Sequence, residues 1–163
     1  MNLDEKIISA LKDLDYEEAT EIQKKAIPIA LKRRDILAAA QSGTGKTAAF
    51  LLPILAELLE TKQTKTILRT LILVPTRELA SQISKAVEDF SKYMDISSLA
   101  MVGGVSTKDQ EKKIAKGIDI LVATSGRLME HLKNGTVDLS SVTTVVIDEV
   151  DTMLDMGFLE DIE

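Results

Sequence analysis

Short, continuous apolar segments alternate along the chain with longer segments in which apolar residues recur with a helical period. Continuous apolar runs are typical of strands buried on both faces of a parallel sheet, and the longer period is that of an amphipathic helix. We therefore predict an α/β fold, with a mostly parallel sheet and helices on both of its faces, in one domain spanning residues 1–163. The predicted strands are residues 35–39, 70–74, 98–102, 119–124 and 143–147. The predicted helices are residues 4–14, 46–59 (interrupted at Pro53) and 127–133, with further helices beginning at the capping residues Thr20, Thr76 and Thr107.

A glycine-bearing loop connects the first predicted strand to the helix that starts at Lys46. Gly43 and Gly45 allow the backbone to curl so that successive N–H groups face a phosphate chain, and the helix adds its positive N-terminal end. Lys46 is then placed to reach the outer phosphates, and the Thr47 hydroxyl to bind the accompanying Mg²⁺. The sequence therefore predicts a P-loop that binds a nucleoside triphosphate. Its members are Ala40, Gln41, Ser42, Gly43, Thr44, Gly45, Lys46 and Thr47.

Two acidic residues follow the last predicted strand, whose residues 145–147 we expect to be buried. Ligands of open α/β sheets bind at the carboxyl ends of the strands, so Asp148 and Glu149 are expected to converge with the P-loop. Asp148 is predicted to hold Mg²⁺ through a water molecule, because this ion sheds its waters reluctantly. Glu149 is predicted to orient or deprotonate the water that attacks the γ-phosphate. Together with Lys46, these are the predicted catalytic residues.

The sequence gives two indications about the base of the nucleotide. The guanine-binding pattern Asn-Lys-x-Asp is absent from the chain, which argues against GTP. Gln23 is a candidate adenine contact, because a side-chain amide offers both a donor and an acceptor, as adenine does on one edge. Gln23 is equally suited to complete a capping box with Thr20, as Gln110 is with Thr107. The local sequence leaves both roles of Gln23 open.

Composition and charge exclude several other kinds of site. Cysteine is absent and His131 is the single histidine, so disulfides, thiolate metal sites and histidine clusters are excluded. We expect His131 at the surface, and Met153 and Met156 in packing positions. No apolar run approaches membrane length, so no membrane contact is expected and a cytoplasmic location is predicted. The net charge of −6 does not exclude a nucleic-acid partner, because the acidic surplus lies in residues 136–163.

Several segments together resemble the DEAD-box family of ATP-dependent RNA helicases, over nearly the whole chain. The P-loop has that family's form, including alanine at its first position, and Asp-Glu-Val-Asp at residues 148–151 stands where the name-giving tetrapeptide belongs. Four further segments resemble the adenine-binding Q motif (residues 16–23), motif Ia (75–80), the paired-glycine motif (103–104) and motif Ib (124–127). The resemblance implies a RecA-like P-loop NTPase domain.

The resemblance also gives roles to residues whose spacing alone assigns none. It favours Gln23 as an adenine contact with Tyr16 packed nearby, in a Q-motif region at residues 15–23, and it gives Asp151 a part in coupling between domains. It implies that the chain binds ATP, Mg²⁺ and the backbone of single-stranded RNA. Base preference is expected to be weak, because few aromatic residues lie among the implied contacts. Those contacts are Pro75, Thr76, Arg77, Gly103, Gly104, Thr124 and Arg127.

The sequence departs from the family pattern at several positions. Val150 replaces an alanine in the tetrapeptide, Ser125 replaces a proline in motif Ib, and Ala19 and Glu21 replace prolines in the Q motif. The family's Ser-Ala-Thr motif and its second RecA-like lobe, with the arginine fingers, are absent from this sequence. In the fold it resembles, the Ser-Ala-Thr strand lies between the P-loop strand and the strand before Asp148. The domain is therefore expected to be truncated before that strand and to have unpaired strand edges.

The resemblance predicts the N-terminal, ATP-binding lobe of an enzyme that remodels RNA duplexes when two lobes close on ATP and RNA. The isolated lobe is expected to hydrolyse ATP hardly at all, because the arginines of the second lobe contribute orders of magnitude in rate. One alternative is a nucleotide-gated RNA clamp or scaffold without productive unwinding, although Glu149 at the catalytic position argues against it. A DNA helicase or an unrelated P-loop ATPase would leave the Q motif unexplained.

Overall fold

The computed structural model describes residues 3–61 and 64–163. The chain divides into two compact units, one drawn from Met1–Lys62 and Ala86–Asp95, the other from Gln63–Lys85 and Ile96–Glu163. In the described part of the chain, no helix is long and apolar enough to cross a bilayer. The helices are α1 (Glu5–Asp13), α2 (Glu21–Ala30), α3 (Lys46–Glu60), α4 (Arg77–Phe90), α5 (Thr107–Lys116), α6 (Ser125–Lys133), α7 (Val150–Asp155) and α8 (Leu159–Ile162). The strands are β1 (Thr70–Val74), β2 (Ser98–Met101), β3 (Ile120–Thr124) and β4 (Thr144–Ile147).

The first unit is built on α3, against which α2 packs. The helix α2 begins at the predicted capping box of Thr20 and Gln23. The predicted interruption of α3 at Pro53 is wrong, because the helix continues from Lys46 to Glu60. A proline removes one backbone hydrogen bond, and burial of the surrounding turns holds the helix together. Its buried residues are Ala48, Ala49, Leu51, Leu52, Pro53, Ile54, Leu55, Ala56 and Leu58.

The second unit contains a four-stranded, parallel sheet with the strand order β2-β3-β1-β4. The central strand β1 aligns its residue Ile72 with Val122 of β3 on one side and with Val146 of β4 on the other. All five residues of β1 are buried, so both of its faces are covered. This arrangement confirms the predicted α/β class and its parallel sheet.

One core cluster of the second unit joins alternate strand residues to side chains of α6 and α7. Leu71 and Leu73 of β1 belong to it, and the helices contribute Leu128 and Met153. The period of two places such residues on one face of the sheet. The other members are Leu99, Met101, Ile118, Leu121, Ala123 and Val137.

Two predictions about strands are wrong. Residues 35–39 do not form a strand, and Leu37 is 97% exposed. A strand needs a neighbour for its N–H and C=O groups, and no other described segment pairs with these residues. The strand β4 forms but is not fully buried, because β1 is its one partner in the described sheet and Val145 is 56% exposed. In the described sheet β4 is an edge strand, since no second described strand lies beside it.

The structure corrects the placement of two side chains and confirms that of a third. His131 is fully buried, contrary to the prediction, because it follows Leu128 by three residues and shares its inward face of α6. Met153 is fully buried as predicted. Met156 is about half exposed, contrary to the prediction, because it follows the last residue of α7.

A prediction about stability concerns Asp119, at the start of β3. Its Oδ2 accepts a hydrogen bond from the Ser97 N–H at 3.0 Å, and its Oδ1 accepts one from the buried Arg69 Nη2 at 3.4 Å. The substitution Asp119→Ala removes a partner from a buried guanidinium, so we expect the free energy of unfolding to fall by about 3 kcal/mol.

Urea unfolding measures this loss. The matched control is Asp155→Ala, which removes an exposed carboxylate at the end of α7 and should change the free energy by less than about 0.5 kcal/mol. Equal effects of the two substitutions would contradict the stabilising role of Asp119.

Candidate functional site

The predicted P-loop lies in the first unit and leads into α3. Gly43 and Gly45 both have left-handed backbones, with φ of 78° and 87°. The Thr44 hydroxyl donates to the Gln41 carbonyl at 2.6 Å and closes the loop. The N–H groups of Gly45, Lys46 and Thr47 donate to no other group in the described part of the chain. These unsatisfied donors, with the positive end of the helix dipole, form a suitable cradle for phosphate oxygens.

All residues of the P-loop are at least partly accessible to solvent. Gln41, Ser42 and Gly43 are exposed, whereas Ala40 and residues 44–47 are half-buried. The Thr47 hydroxyl makes no hydrogen bond to another described group. Since Thr47 lies in the first turn of α3, its free hydroxyl is suited to bind a cation that accompanies phosphate.

Gln23 connects α2 directly to the P-loop. Its side chain is buried, its Oε1 accepts from the Thr20 N–H at 3.0 Å, and its Nε2 donates to the Gly45 carbonyl at 3.1 Å. The predicted capping contact is therefore confirmed. The donor end of the same amide holds the P-loop at the residue where α3 begins. The adenine contact stays a prediction.

Tyr16 lies just after α1 in the first unit. Its ring is 45% exposed and meets the Phe90 ring edge-on, with centroids 5.6 Å apart and an interplanar angle of 88°. Such an edge contact fixes the ring in place while part of its apolar surface stays accessible. That surface is available for the base-packing role that the resemblance implies.

In the second unit, the predicted residues other than Arg127 and Asp151 lie at the carboxyl ends of the four strands. Because parallel strands end at the same edge of a sheet, these residues share that edge. Pro75 is buried, Gly103 is half-buried and Gly104 is exposed. These strand-end residues are Pro75, Thr76 and Arg77 after β1, Gly103 and Gly104 after β2, Thr124 at the end of β3, and Asp148 and Glu149 after β4.

The acidic pair has a well-defined backbone. The Asp148 N–H donates to the Leu73 carbonyl at 3.0 Å, and the Asp148 Oδ1 accepts from the Glu149 N–H at the same distance. Glu149 has a left-handed φ of 53°, a conformation that residues with side chains adopt rarely and that is enriched at functional sites. Asp151 is exposed in the first turn of α7. Lys46 belongs to the first unit and Asp148 to the second, so their expected convergence stays a prediction.

The two arginines predicted to contact RNA have different surroundings. Arg77 is exposed and makes one hydrogen bond in the described chain, from its Nη1 to the Gly103 carbonyl at 3.3 Å. The side chain of Arg127 is 13% exposed and is held by several protein acceptors. Thr76 Oγ1 caps α4 by accepting from the Leu79 N–H at 3.1 Å, as predicted, and Thr124 is the N-cap residue of α6.

Sequence reasoning missed a buried polar pair beside this edge. Gln110 Oε1 lies 2.9 Å from His131 Nε2, and Gln110 Nε2 donates to the Val102 carbonyl at 3.1 Å. The predicted capping box of Thr107 and Gln110 is wrong, because Ser106 is the N-cap residue of α5 and Gln110 faces inward. Gln110 precedes Ile114, on the inner face of α5, by four residues, and this spacing could have predicted that Gln110 faces inward.

Comparison with known proteins identifies the family. Residues 20–163 match the DEAD/DEAH box helicase family. The chain belongs to the DEAD/DEAH box helicase family. The matched part of this DEAD/DEAH box helicase chain contains Gln23, the P-loop and the acidic pair, whereas Tyr16 precedes it.

Relatives of the chain include two proteins of Escherichia coli (strain K12). The chain is 48% identical over 158 residues to ATP-dependent RNA helicase DeaD, covering 96% of this chain and 25% of that protein. It is 44% identical over 164 residues to ATP-dependent RNA helicase SrmB, covering 100% of this chain and 37% of that protein. The DEAD/DEAH box helicase chain therefore spans 25% and 37% of the length of these two relatives.

A solved structure supports the fold assignment. The crystal structure of a hypothetical ATP-dependent RNA helicase from Sulfolobus tokodaii superposes with a TM-score of 0.89 at 39% identity. The match covers 98% of this chain and 45% of that one. The fold of the DEAD/DEAH box helicase chain is therefore the RecA-like fold that the sequence predicts.

A prediction follows from the two left-handed glycines of the P-loop. A Cβ at Gly45 would lie 2.4 Å from Gln23 Nε2, whereas a Cβ at Gly43 would meet no atom within 4 Å. We expect Gly43→Ala to lower the free energy of unfolding by about 1 kcal/mol, through its φ alone. Gly45→Ala should lower it by about 1–2 kcal/mol more, because it also displaces the buried amide.

Urea unfolding of the two variants measures the difference, and Gly43→Ala is the matched control for backbone strain. Equal losses in the two variants would show that the contact between Gln23 and Gly45 contributes nothing to stability.

Proposed function

We propose that this chain is the N-terminal, ATP-binding lobe of a DEAD-box ATP-dependent RNA helicase. The observation that carries the proposal is the P-loop, whose left-handed glycines leave successive N–H donors free at the start of α3. Family membership over residues 20–163 supports the same conclusion. In the complete enzyme, a second lobe closes on ATP and RNA, and ATP hydrolysis is coupled to the remodelling of RNA duplexes. The cytoplasmic location stays a prediction.

The P-loop binds the phosphates of ATP in this proposal. The N–H groups at the start of α3 and the Lys46 ammonium pair with the phosphate oxygens. Thr47 and Asp148 would hold the Mg²⁺ ion. When bound, this ion would neutralise part of the phosphate charge. Their fit is supported by the free Thr47 hydroxyl and by the Asp148 carboxylate, of which one oxygen accepts from Glu149. In the described chain no three acidic, histidine or cysteine side chains gather into a cluster that could hold a metal ion.

Glu149 orients the attacking water and accepts its proton. Its left-handed φ of 53°, at the N-terminus of α7, fixes the direction in which its side chain leaves the backbone. Asp148 is held by β1 through its N–H, so the two acidic groups are anchored to the sheet. Asp151, one helical position after Val150, is left exposed to couple this lobe to the second.

The carboxyl edge of the sheet binds the RNA backbone. Exposed Arg77, the backbone of Gly103 and Gly104, and the N-terminus of α6 at Thr124 offer cationic and N–H donors to phosphates. Phosphate contacts of this kind position an RNA strand without selecting its sequence.

Glu149→Gln tests the catalytic role in the complete protein. We expect kcat for RNA-stimulated ATP hydrolysis to fall about 10²–10⁴-fold, because the amide cannot accept the proton, while ATP binding is retained. The matched control is Asp155→Asn, an exposed acid of the neighbouring helix that should leave kcat unchanged.

A duplex-separation assay of the complete wild-type protein complements this test. Separation with ATP but little with a non-hydrolysable analogue is expected for a helicase. Unchanged ATP hydrolysis in Glu149→Gln would remove the catalytic assignment, and tight RNA binding without separation would favour a nucleotide-gated clamp.

Gln23→Glu tests the base contact. The substitution keeps the acceptor that binds the Thr20 N–H but removes the N–H donor. We expect ATP to bind about tenfold more weakly, with a smaller effect on GTP, because adenine loses one of its two hydrogen bonds. Fluorescent-nucleotide titration measures both affinities, and exposed Gln82→Glu is the control for added charge. An unchanged ratio of ATP to GTP affinity would remove the adenine assignment.

A further inference from the structure

Arg127 is almost fully engaged within the protein. Its Nη2 donates to the Val105 carbonyl at 3.0 Å, its Nη1 donates to Thr107 Oγ1 at 3.1 Å and to Glu130 Oε2 at 2.7 Å, and its Nε donates to the Val102 carbonyl at 3.4 Å. A guanidinium has five N–H donors, so four of them have protein acceptors. Little of this side chain is left for a phosphate group.

The acceptors of Arg127 surround the loop that carries the paired glycines. Val102 directly precedes Gly103, and Val105 directly follows Gly104. One guanidinium therefore binds the carbonyls on both sides of the glycine pair and fixes the distance between them. Arginine suits this role because its planar fork presents donors in fixed directions.

The Val102 carbonyl is also held from the protein interior. Gln110 Nε2 donates to it at 3.1 Å, and Gln110 is in turn paired with the buried His131 at 2.9 Å. The loop that begins at Val102 thus starts from a carbonyl with two donors, one buried and one from Arg127. Such a doubly bound carbonyl leaves the start of the loop little freedom.

Arg77 offers a clear contrast on the same edge of the sheet. It is exposed and donates once, to the Gly103 carbonyl at 3.3 Å. Four of its five N–H donors have no acceptor in the described part of the chain. Arg77 is therefore the arginine that has donors available for a phosphate.

We propose that Arg127 is a positioning residue for RNA binding, which holds the paired-glycine loop in place, and that it does not itself bind a phosphate. This inference rests on the proposed RNA-binding function and revises the direct contact that the family resemblance implies for Arg127. Arg77 and the N–H groups of the loop make the phosphate contacts.

The salt dependence of RNA binding distinguishes the two roles in the complete protein. Each phosphate contact to a single strand contributes about 0.7 to the slope of log K against log salt concentration. Arg77→Gln should therefore lower both the affinity and the slope, the latter by about 0.7. Arg127→Lys should weaken binding of a single-stranded oligonucleotide about tenfold with an unchanged slope, because an ammonium keeps the charge but cannot serve four separated acceptors.

Two further variants keep the test independent of the folding of Arg127→Lys. Thr107→Val removes one acceptor of Arg127 with little change in shape, and should weaken RNA binding about two- to threefold with an unchanged slope, since a single neutral acceptor is lost. Lys133→Gln, which removes an exposed charge at the other end of α6, is the matched control and should leave RNA affinity nearly unchanged. ATP affinity, measured in parallel, should be unchanged in all of these variants.

Two results would overturn the inference while leaving RNA binding itself intact. One is wild-type affinity in Arg127→Lys together with a slope lowered by about 0.7 in Arg127→Gln, which would make Arg127 a direct phosphate ligand. The other is an unchanged affinity in both Arg127 variants. If the unchanged protein binds no RNA at any salt concentration, the proposed function and this inference both fail.

Discussion

The parallel direction of the four strands is the constraint on which the second unit depends. Val74 of β1 is paired with Thr124 of β3, and Leu73 is paired with Ile147 of β4. The three strands therefore end at nearly the same level, and the chain leaves each of them at the same edge of the sheet. Segments that are far apart in the sequence acquire neighbouring positions because of this register, whether or not their side chains interact.

The first unit depends on a different constraint, which is the close approach of α2 to the P-loop. Gly45 has no side chain, and the Gln23 amide occupies the space that a Cβ would need. The same amide bonds to Thr20 at the start of α2 and to Gly45 at the start of α3. Two helix starts are thus held together by one buried side chain, which connects Thr20 to the loop that we propose binds phosphates.

Local sequence predicted those features that depend on neighbouring residues along the chain. Apolar runs located β1 to β4, and Thr20 and Thr76 marked helix starts correctly, because caps and strand patterns depend on short-range spacing. The failures occurred where a distant partner decides the outcome. Residues 35–39 have a strand-like composition but no neighbouring strand among the described residues, and β4 is an edge strand of the described sheet. Composition alone does not contain that information.

Side-chain environments at the candidate site were the hardest features to predict. No feature of the neighbouring sequence distinguishes the surroundings of Arg77 from those of Arg127. In the structure, Arg77 is exposed and Arg127 is surrounded by acceptors from the loop after β2. The left-handed backbone of Glu149 has no sequence signature, because glycine or asparagine is the usual residue in that conformation. Tertiary contacts decide both outcomes.

The interior pairing of His131 has a consequence for spectroscopy. Since the Gln110 Nε2 group donates to the Val102 carbonyl, its Oε1 faces the imidazole, and His131 Nε2 therefore carries a proton that it donates to this oxygen. The Nδ1 atom is buried without a partner in the described part of the chain. Because the sequence contains no other histidine, the Nε2–H resonance of this fully buried imidazole would report specifically on the loop that starts at Val102.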